Sequence, residues 1–292
     1  MDQKLCIGMP AYNSEEYIGE AIESLLGQTF SDFLLVISDN ASTDNTEEIC
    51  RKYQSHDKRI YYYRNQSNIG SDLNYNKVLT YANTKYFKWS SSNDIHHKDY
   101  VKECVDLLEK NVDVVLAFPR TKFFNTNLHQ ATEHQDNLDL RSENPVERFK
   151  TLMKNITYCN IMYGVTRTNI IKKVMPLKNY DFSDYCLLAE LALHGKFFEV
   201  PEYMFYRRFS KATNSSLMSY EEQRKYYDPT LSQFPLFIKW KLHINYIKAV
   251  LRSPISMSSK VALELFISKK IFCEREDFIS EITEWLKKNR KT

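Results

Sequence analysis

Glycine is scarce in this chain, with six in 292 residues, and the six are dispersed. A G-x-G-x-x-G turn after the first strand and a G-x-x-x-x-G-K-[ST] loop are both absent, which excludes a glycine-built phosphate cradle. Any phosphate site must rest on side chains or on a metal. The cysteines Cys6, Cys50, Cys104, Cys159, Cys186 and Cys273 include no Cys-x-x-Cys pair, which argues against a zinc site. Their mostly apolar or helical neighbours make them reduced core residues. No apolar run approaches the roughly 18 residues of a membrane-spanning helix. Met1 to Lys4 lead directly into an apolar strand, without the basic-then-apolar order of a secretory signal. A cytoplasmic protein is expected, with contact at the inner face of the membrane left open. A surplus of one charge sign is missing too: 40 basic and 37 acidic residues give a net charge of +3, which excludes a dense nucleic-acid-binding stripe.

What the chain does have is apolar content, 43% of residues with 14% aromatics, enough for a substantial core. Its first third alternates strand and helix patterns: Lys4 to Met9 then Glu15 to Leu26, Phe33 to Ser38 then Thr46 to Tyr53, Ile60 to Arg64 then Asp72 to Ala82. That alternation predicts a mostly parallel sheet covered by helices. Asn13 with Glu16, and Asp44 with Glu47, have the spacing of helix capping boxes. Tyr86 to Ser90 reads as a strand, His97 to Lys110 as a helix, Val112 to Phe118 as a buried strand, and Asn125 to Asn144 as a surface loop. A helix after Pro145, a short run Tyr163 to Thr166, and a helix Ser183 to His194 follow, with Gly195 expected as a left-handed cap. Lys196 to Val200 and Tyr203 to Arg208 read as two strands, and the chain is helical from Ser219. The expected division is a catalytic unit over 1–215, its nucleotide-binding half about 1–120 and its acceptor half about 121–215, with a helical extension over 216–292.

Ser90-Ser91-Ser92-Asn93-Asp94 ends a strand in a polar cluster carrying a carboxylate, which can offer oxygens to a divalent cation holding a diphosphate. The same residues are common turn formers. Strand one runs into Pro10-Ala11-Tyr12-Asn13-Ser14-Glu15 and strand two into Asp39-Asn40-Ala41-Ser42-Thr43-Asp44, at the strand ends where open α/β sheets bind ligands. A tyrosine ring can stack on a base while a carboxylate accepts from a base N–H or a ribose hydroxyl. His96 and His97 beside Asp94 suit surface or capping roles better than metal ligation. Trp89 is equally a sugar-stacking floor or core packing.

Those two strand-end motifs, with Ser24-Leu25-Leu26-Gly27-Gln28-Thr29 and Asn68-Ile69-Gly70, closely resemble family-two glycosyltransferases of the GT-A fold over roughly residues 4 to 120. Phe87-Lys88-Trp89, the Asp184 to Leu191 segment and Pro201 to Arg208 extend the likeness toward a bacterial surface-polysaccharide subgroup. The resemblance implies a Rossmann-like mixed sheet with helices on both faces and a nucleoside-diphosphate-sugar donor, UDP preferred. It implies inverting transfer to a saccharide or lipid-linked saccharide. Pro10, Tyr12, Asn13, Glu15, Asp39 and Asn68 would line the nucleotide site, and Asp184 matches the family's general base. Asp94 and Asn93 would hold Mg²⁺ or Mn²⁺, and Arg207, Arg208 or Lys211 could neutralise the leaving group. The chain departs from its relatives where Asn93 takes a usually acidic position, and where Phe209-Ser210-Lys211 lacks their histidine. These departures keep open a nucleotide-sugar-binding protein without turnover, and the basic, aromatic tail from Lys239 to Lys291 keeps open a membrane or interaction role.

Overall fold

The computed structural model describes residues 3–174, 176–178, 180–210, 217–227, 229 and 237–289. The first part runs β1 (Leu5–Ala11), α1 (Ile18–Leu26), β2 (Phe33–Asp39), α2 (Thr46–His56), β3 (Ile60–Arg64), α3 (Ser71–Thr80), β4 (Tyr86–Trp89), β5 (Ile95–His96) and α4 (Tyr100–Lys110). It continues through β6 (Val114–Phe124), β7 (Thr132–His134), α5 (Pro145–Asn155), β8 (Val165–Arg167), α6 (Thr168–Ile171), α7 (Ser183–His194) and β9 (Lys196–Arg208). The helices α8 (Tyr220–Tyr227), α9 (Ile238–Arg252), α10 (Met257–Cys273) and α11 (Arg275–Asn289) complete it.

The strands form one sheet in the order β3-β2-β1-β4-β8-β6-β9-β5, with β7 paired to β6. β1 to β4 are parallel, β8 is antiparallel to both β4 and β6, and β9 runs parallel to β6. β1 and β2 are buried along their whole length, so they read as continuous apolar runs and not as alternating ones. One core lies between the sheet and α1, α2 and α4. The other gathers residues of α3, α5 and α7, and takes in Tyr246 and Val250 of α9 and Leu263 and Ile267 of α10. α7 is buried from Cys186 to Leu193 because neighbours cover it all round, which explains a helix apolar on every side. The expected mixed, mostly parallel sheet with helices on both faces is therefore present, and so are helices after it.

Several local expectations differ from the structure. α1 begins at Ile18 and not at Glu15, and Asn13 with Glu16 forms no capping box. Asn13 sits in the left-handed region at φ 46, its side-chain oxygen accepting from Thr43 N–H at 2.9 Å across the loop. Asp44 does accept from Thr46 N–H at 3.1 Å, but Glu47 turns away to pair with Arg51 and Arg64. The two strands read near Pro201 are one, β9, bulged where it passes β6. The polar stretch after Phe124 contains the short strand β7, whose exposed side chains carry no apolar alternation. Of the six free cysteines five are buried as expected, while Cys273 is exposed. Gly195 is extended, at φ 173, and is no left-handed cap.

Glycine is needed at 195 for space. A Cβ there would lie 2.4 Å from Val115 Cγ1 and 2.7 Å from the Asp113 carbonyl. Gly195→Ala should destabilise the fold by about 1–3 kcal/mol through overpacking at the start of β9. Chemical denaturation measures this, and an unchanged midpoint would contradict the packing assigned to this turn.

Candidate nucleotide-sugar site

In the order β3-β2-β1-β4, the chain builds outward from β1 through β2 to β3 on one side and then crosses back to place β4 on the other, which makes the β1/β4 crevice a topological switch point. Ligands of open α/β sheets bind outside the carboxyl ends of strands at such a point. Here those ends are Pro10 to Asn13 and Ser90 to Asp94, and the two loops touch where Ser14 Oγ and Ser92 Oγ share a hydrogen bond of 2.8 Å.

The β1 and β2 loops are zipped together. Ser42 Oγ accepts from Asn13 N–H at 2.9 Å, Asp44 accepts from Glu15 N–H at 3.0 Å, and Glu15 Oε2 accepts from Asn45 N–H and Nδ2 at 3.0 and 2.7 Å. Asp39 is fully buried: Oδ1 accepts from Ser42 N–H at 2.9 Å and Oγ at 2.6 Å, and Oδ2 accepts from Tyr62 OH at 2.6 Å. Asn68 Oδ1 accepts from Asn40 Nδ2 at 2.7 Å and Gly70 N–H at 2.9 Å, so it shapes the adjoining loop. Beneath it lies a buried amide network, with Asn65 Nδ2 donating to Asn40 and Asn74, and Ser38 Oγ donating to Asn74 Oδ1 at 2.7 Å. Among the sequence-predicted residues here, Tyr12 alone presents a large apolar surface to solvent, at 46% exposure.

Asp94 is buried, and its Oδ1 accepts from Arg208 N–H at 2.8 Å. Burial pushes its carboxyl up to about 6, against the opposing fields of Arg207, Lys88 and Arg208. Asn93 offers its backbone oxygen to Arg208 Nε at 3.1 Å, while its side-chain oxygen accepts from Ser91 Oγ. Behind them Lys88 is wholly buried, donating to Tyr163 O at 2.6 Å and Trp89 O at 3.0 Å, with its Nζ 4.5 Å from the Tyr100 ring centre. Burial lowers it to about 7.

The two arginines at the end of β9 have different occupations. Arg208 is buried and tied, donating to Asn125 O at 2.8 Å and Glu20 Oε2 at 2.5 Å, with its guanidinium 4.1 Å from the Tyr17 ring centre. Arg207 donates to Asn160 Oδ1 at 2.6 Å, and its charge acts on both Asp94 and Asp184, holding each lower than burial alone would. Asp184 lies in the first turn of α7, its Oδ1 accepting from Tyr185 N–H at 3.0 Å. Burial raises its pKa, Cys159 lowers it through a hydrogen bond, and Asp181 raises it. Lys211 lies outside the described residues.

Other expectations are corrected. Trp89 is core, 1% exposed, with Nε1 donating to Tyr75 O at 2.9 Å, and it offers no floor for a sugar. His96 is neither a surface nor a capping residue: it is buried on β5 against Tyr100. His97 does serve a turn, accepting from Asp99 N–H at 3.3 Å. Sequence reasoning missed Asp72, whose carboxyl burial raises far above the usual range and which accepts from Ser183 Oγ at 2.8 Å beside Asp184. It also missed the Tyr75 and Tyr163 hydroxyls, 3.0 Å apart and within the field of Asp94. None belongs to a recognisable motif. A cleft of about 470 Å³ lined by Lys85, Arg167 and Lys172 lies at the N-terminal end of β4 and shares no residue with this site.

No cluster of three or more His, Cys, Asp or Glu suited to a metal occurs among the described residues. A cation that keeps its waters and takes oxygens from a diphosphate needs one or two protein ligands, and Asp94 with Asn93 fits that minimal requirement.

The profile of Glycosyl transferase family 2 matches residues 6–175, more than half of the chain. An uncharacterized glycosyltransferase of Methanocaldococcus jannaschii is 34% identical over 44% of this chain and 45% of its own length. TuaG of Bacillus subtilis, assigned by its name to teichuronic acid biosynthesis, is 30% identical over 34% of this chain and 39% of its own. The chain thus spans less than half the length of these curated relatives. Among solved structures, S. aureus TarS in complex with UDP-GlcNAc aligns with TM-score 0.65 at 17% identity, covering 88% of this chain and 69% of that one. Mannosyltransferase PcManGT from Pyrobaculum calidifontis, in complex with GDP-Man and Mn²⁺, aligns with TM-score 0.55 at 12% identity over 96% of this chain and 84% of its own. These likenesses show the GT-A fold, and the profile match across the β1/β4 crevice shows that the chain belongs to glycosyl transferase family 2.

Proposed function

We propose that this protein is an inverting glycosyltransferase that moves a sugar from a nucleoside diphosphate, UDP by preference, to a saccharide or lipid-linked saccharide hydroxyl in cell-surface polysaccharide assembly. The observation that carries this reading is Arg207, a cation within the field of both Asp94 at the switch point and Asp184 at the head of α7. It spans the two places where charge must move in a direct displacement, the leaving diphosphate and the acceptor proton. The TuaG and TarS likenesses support the surface-polysaccharide setting and the UDP-sugar donor.

The roles follow from what each group has left to offer. Tyr12 stacks on the base, and Asp39 with its saturated carboxylate braces the β2 loop that receives the nucleoside. Asn13, Glu15 and Asn68 hold the loops in shape beside Pro10. Arg207 stabilises negative charge on the departing diphosphate, and Arg208 fixes Asn93 and Asp94 in place beside it. A divalent cation held by Asp94 and Asn93 would add charge neutralisation at the same oxygens. Asp184 takes the acceptor proton as the hydroxyl attacks the anomeric carbon from the face opposite the leaving group.

Three outcomes are expected. Incubation with UDP-sugars and saccharide acceptors should release UDP and give a product whose anomeric configuration, read by NMR, is opposite to the donor's; retention would contradict direct displacement. Asp184→Asn should lower kcat by about 10²- to 10⁴-fold while leaving donor KM within about threefold. An unchanged kcat would remove Asp184 from the reaction. Because burial raises the Asp184 carboxyl, its ionised form is lost at a higher pH than for an exposed aspartate. The rate should therefore fall on acidification along a limb above the usual aspartate range, and a limb absent down to pH about 4 would contradict the base assignment.

A further inference from the structure

Among the described residues, ten of the eighteen exposed large apolar side chains lie on the C-terminal helices α9, α10 and α11. α10 shows the pattern most clearly. Leu263 and Ile267 are completely buried on its inner side. Met257, Val261, Leu265 and Phe272, spaced at intervals of four, four and seven, are 73%, 49%, 67% and 68% exposed on its outer side. A helix apolar on both faces is one whose outer face is normally covered. Leu251 at the end of α9 extends the stripe, since its carbonyl accepts from Lys260 Nζ at 2.6 Å.

Charge points to what covers it. Of the chain's 40 basic and 37 acidic side chains, seven basic and one acidic, Glu264, fall within α9 and α10, so the remainder of the protein is slightly acidic. Lys270 is paired with Glu274 at 2.8 Å and Arg252 with Glu190 at 3.0 Å. Lys248 and Lys269 are exposed beside the apolar residues, with no ion pair among the described residues. We infer that the outer face of α10, with the end of α9, lies on an anionic lipid bilayer: the apolar stripe enters the acyl boundary and the lysines meet the headgroup phosphates. A second copy of the chain fits less well, because a twofold contact would bring the same basic face against itself. No helix here is long and apolar enough to cross a membrane, so the helix would lie along the surface. The inference is independent of the proposed reaction.

Sedimentation of the full chain with vesicles tests it. Binding to phosphatidylcholine mixed with phosphatidylglycerol, weakened by salt and at least about tenfold weaker on phosphatidylcholine alone, is the expected result. Leu265→Glu combined with Phe272→Glu should abolish binding, and Lys248→Glu combined with Lys269→Glu should weaken it about tenfold while leaving the apolar stripe intact. Thermal unfolding of both variants near the parent temperature would show that they fold. Absence of vesicle binding, or equal binding to neutral and anionic vesicles, would overturn the inference. So would a lipid-free dimer in analytical ultracentrifugation that Leu265→Glu and Phe272→Glu dissociate, which would assign the face to a second copy.

Discussion

A carboxylate placed in a low-dielectric interior raises the free energy of the fold by several kcal/mol unless cations and hydrogen bonds surround it. Asp94 is such a group, and the way it is compensated organises the site. Its hydrogen bond comes from the backbone of Arg208, 114 residues later in the chain, and its countercharges are Arg207, Arg208 and the buried Lys88. β9 therefore runs along the whole length of β6, from Val114 to Phe124, and its end reaches the loop after β4. β5 exists because that loop then pairs with β9, Ile95 opposite Tyr206 and His96 opposite Phe205. The Asp94 end of the crevice is thus built from both halves of the chain, the carboxylate and Lys88 from the first and Arg207 and Arg208 from the second.

The remaining polar groups divide into those that brace and those that face the crevice. Asp39, Asn68, Asn13 and Glu15 meet neighbouring loops through short hydrogen bonds, so the β1 and β2 ends form a preorganised rim. Preorganisation of this kind lowers the ordering entropy that binding would otherwise have to overcome. In the proposed reaction Tyr12, Arg207 and Asp184 are the groups that would meet a ligand. At Asp184 burial and the charge of Asp181 raise the carboxyl pKa while Cys159 and Arg207 lower it, and the neighbouring Asp72 is raised in turn by Asp184, which suits the base role proposed for Asp184.

The sequence was most readable where local pattern and tertiary role coincide. Strands such as Phe33 to Asp39 are buried on both faces, so their apolar runs are unambiguous, and the strand-end motifs follow directly from them. It was least readable where long-range contacts decide the outcome. Gly195 carries the signature of a helix cap, yet Val115 and Asp113 determine its role. Trp89 has the composition of a stacking platform, but the carbonyl of Tyr75 draws it into the core. Arg207 and Arg208 are indistinguishable as neighbours in sequence, and the pleat alone sends one toward Asn160 and Asp184 and the other back into Glu20 and Tyr17.

The claim on which the functional account rests is that the β1/β4 crevice binds a nucleoside diphosphate. Thermal unfolding with UDP, GDP, CDP and TDP, each with Mn²⁺, Mg²⁺ or EDTA, tests it most directly, because a ligand that binds the folded state alone raises the melting temperature by mass action. The account predicts a concentration-dependent rise with UDP that exceeds the rise with the other three and diminishes in EDTA. No shift with any of the four nucleotides at millimolar concentration would contradict it.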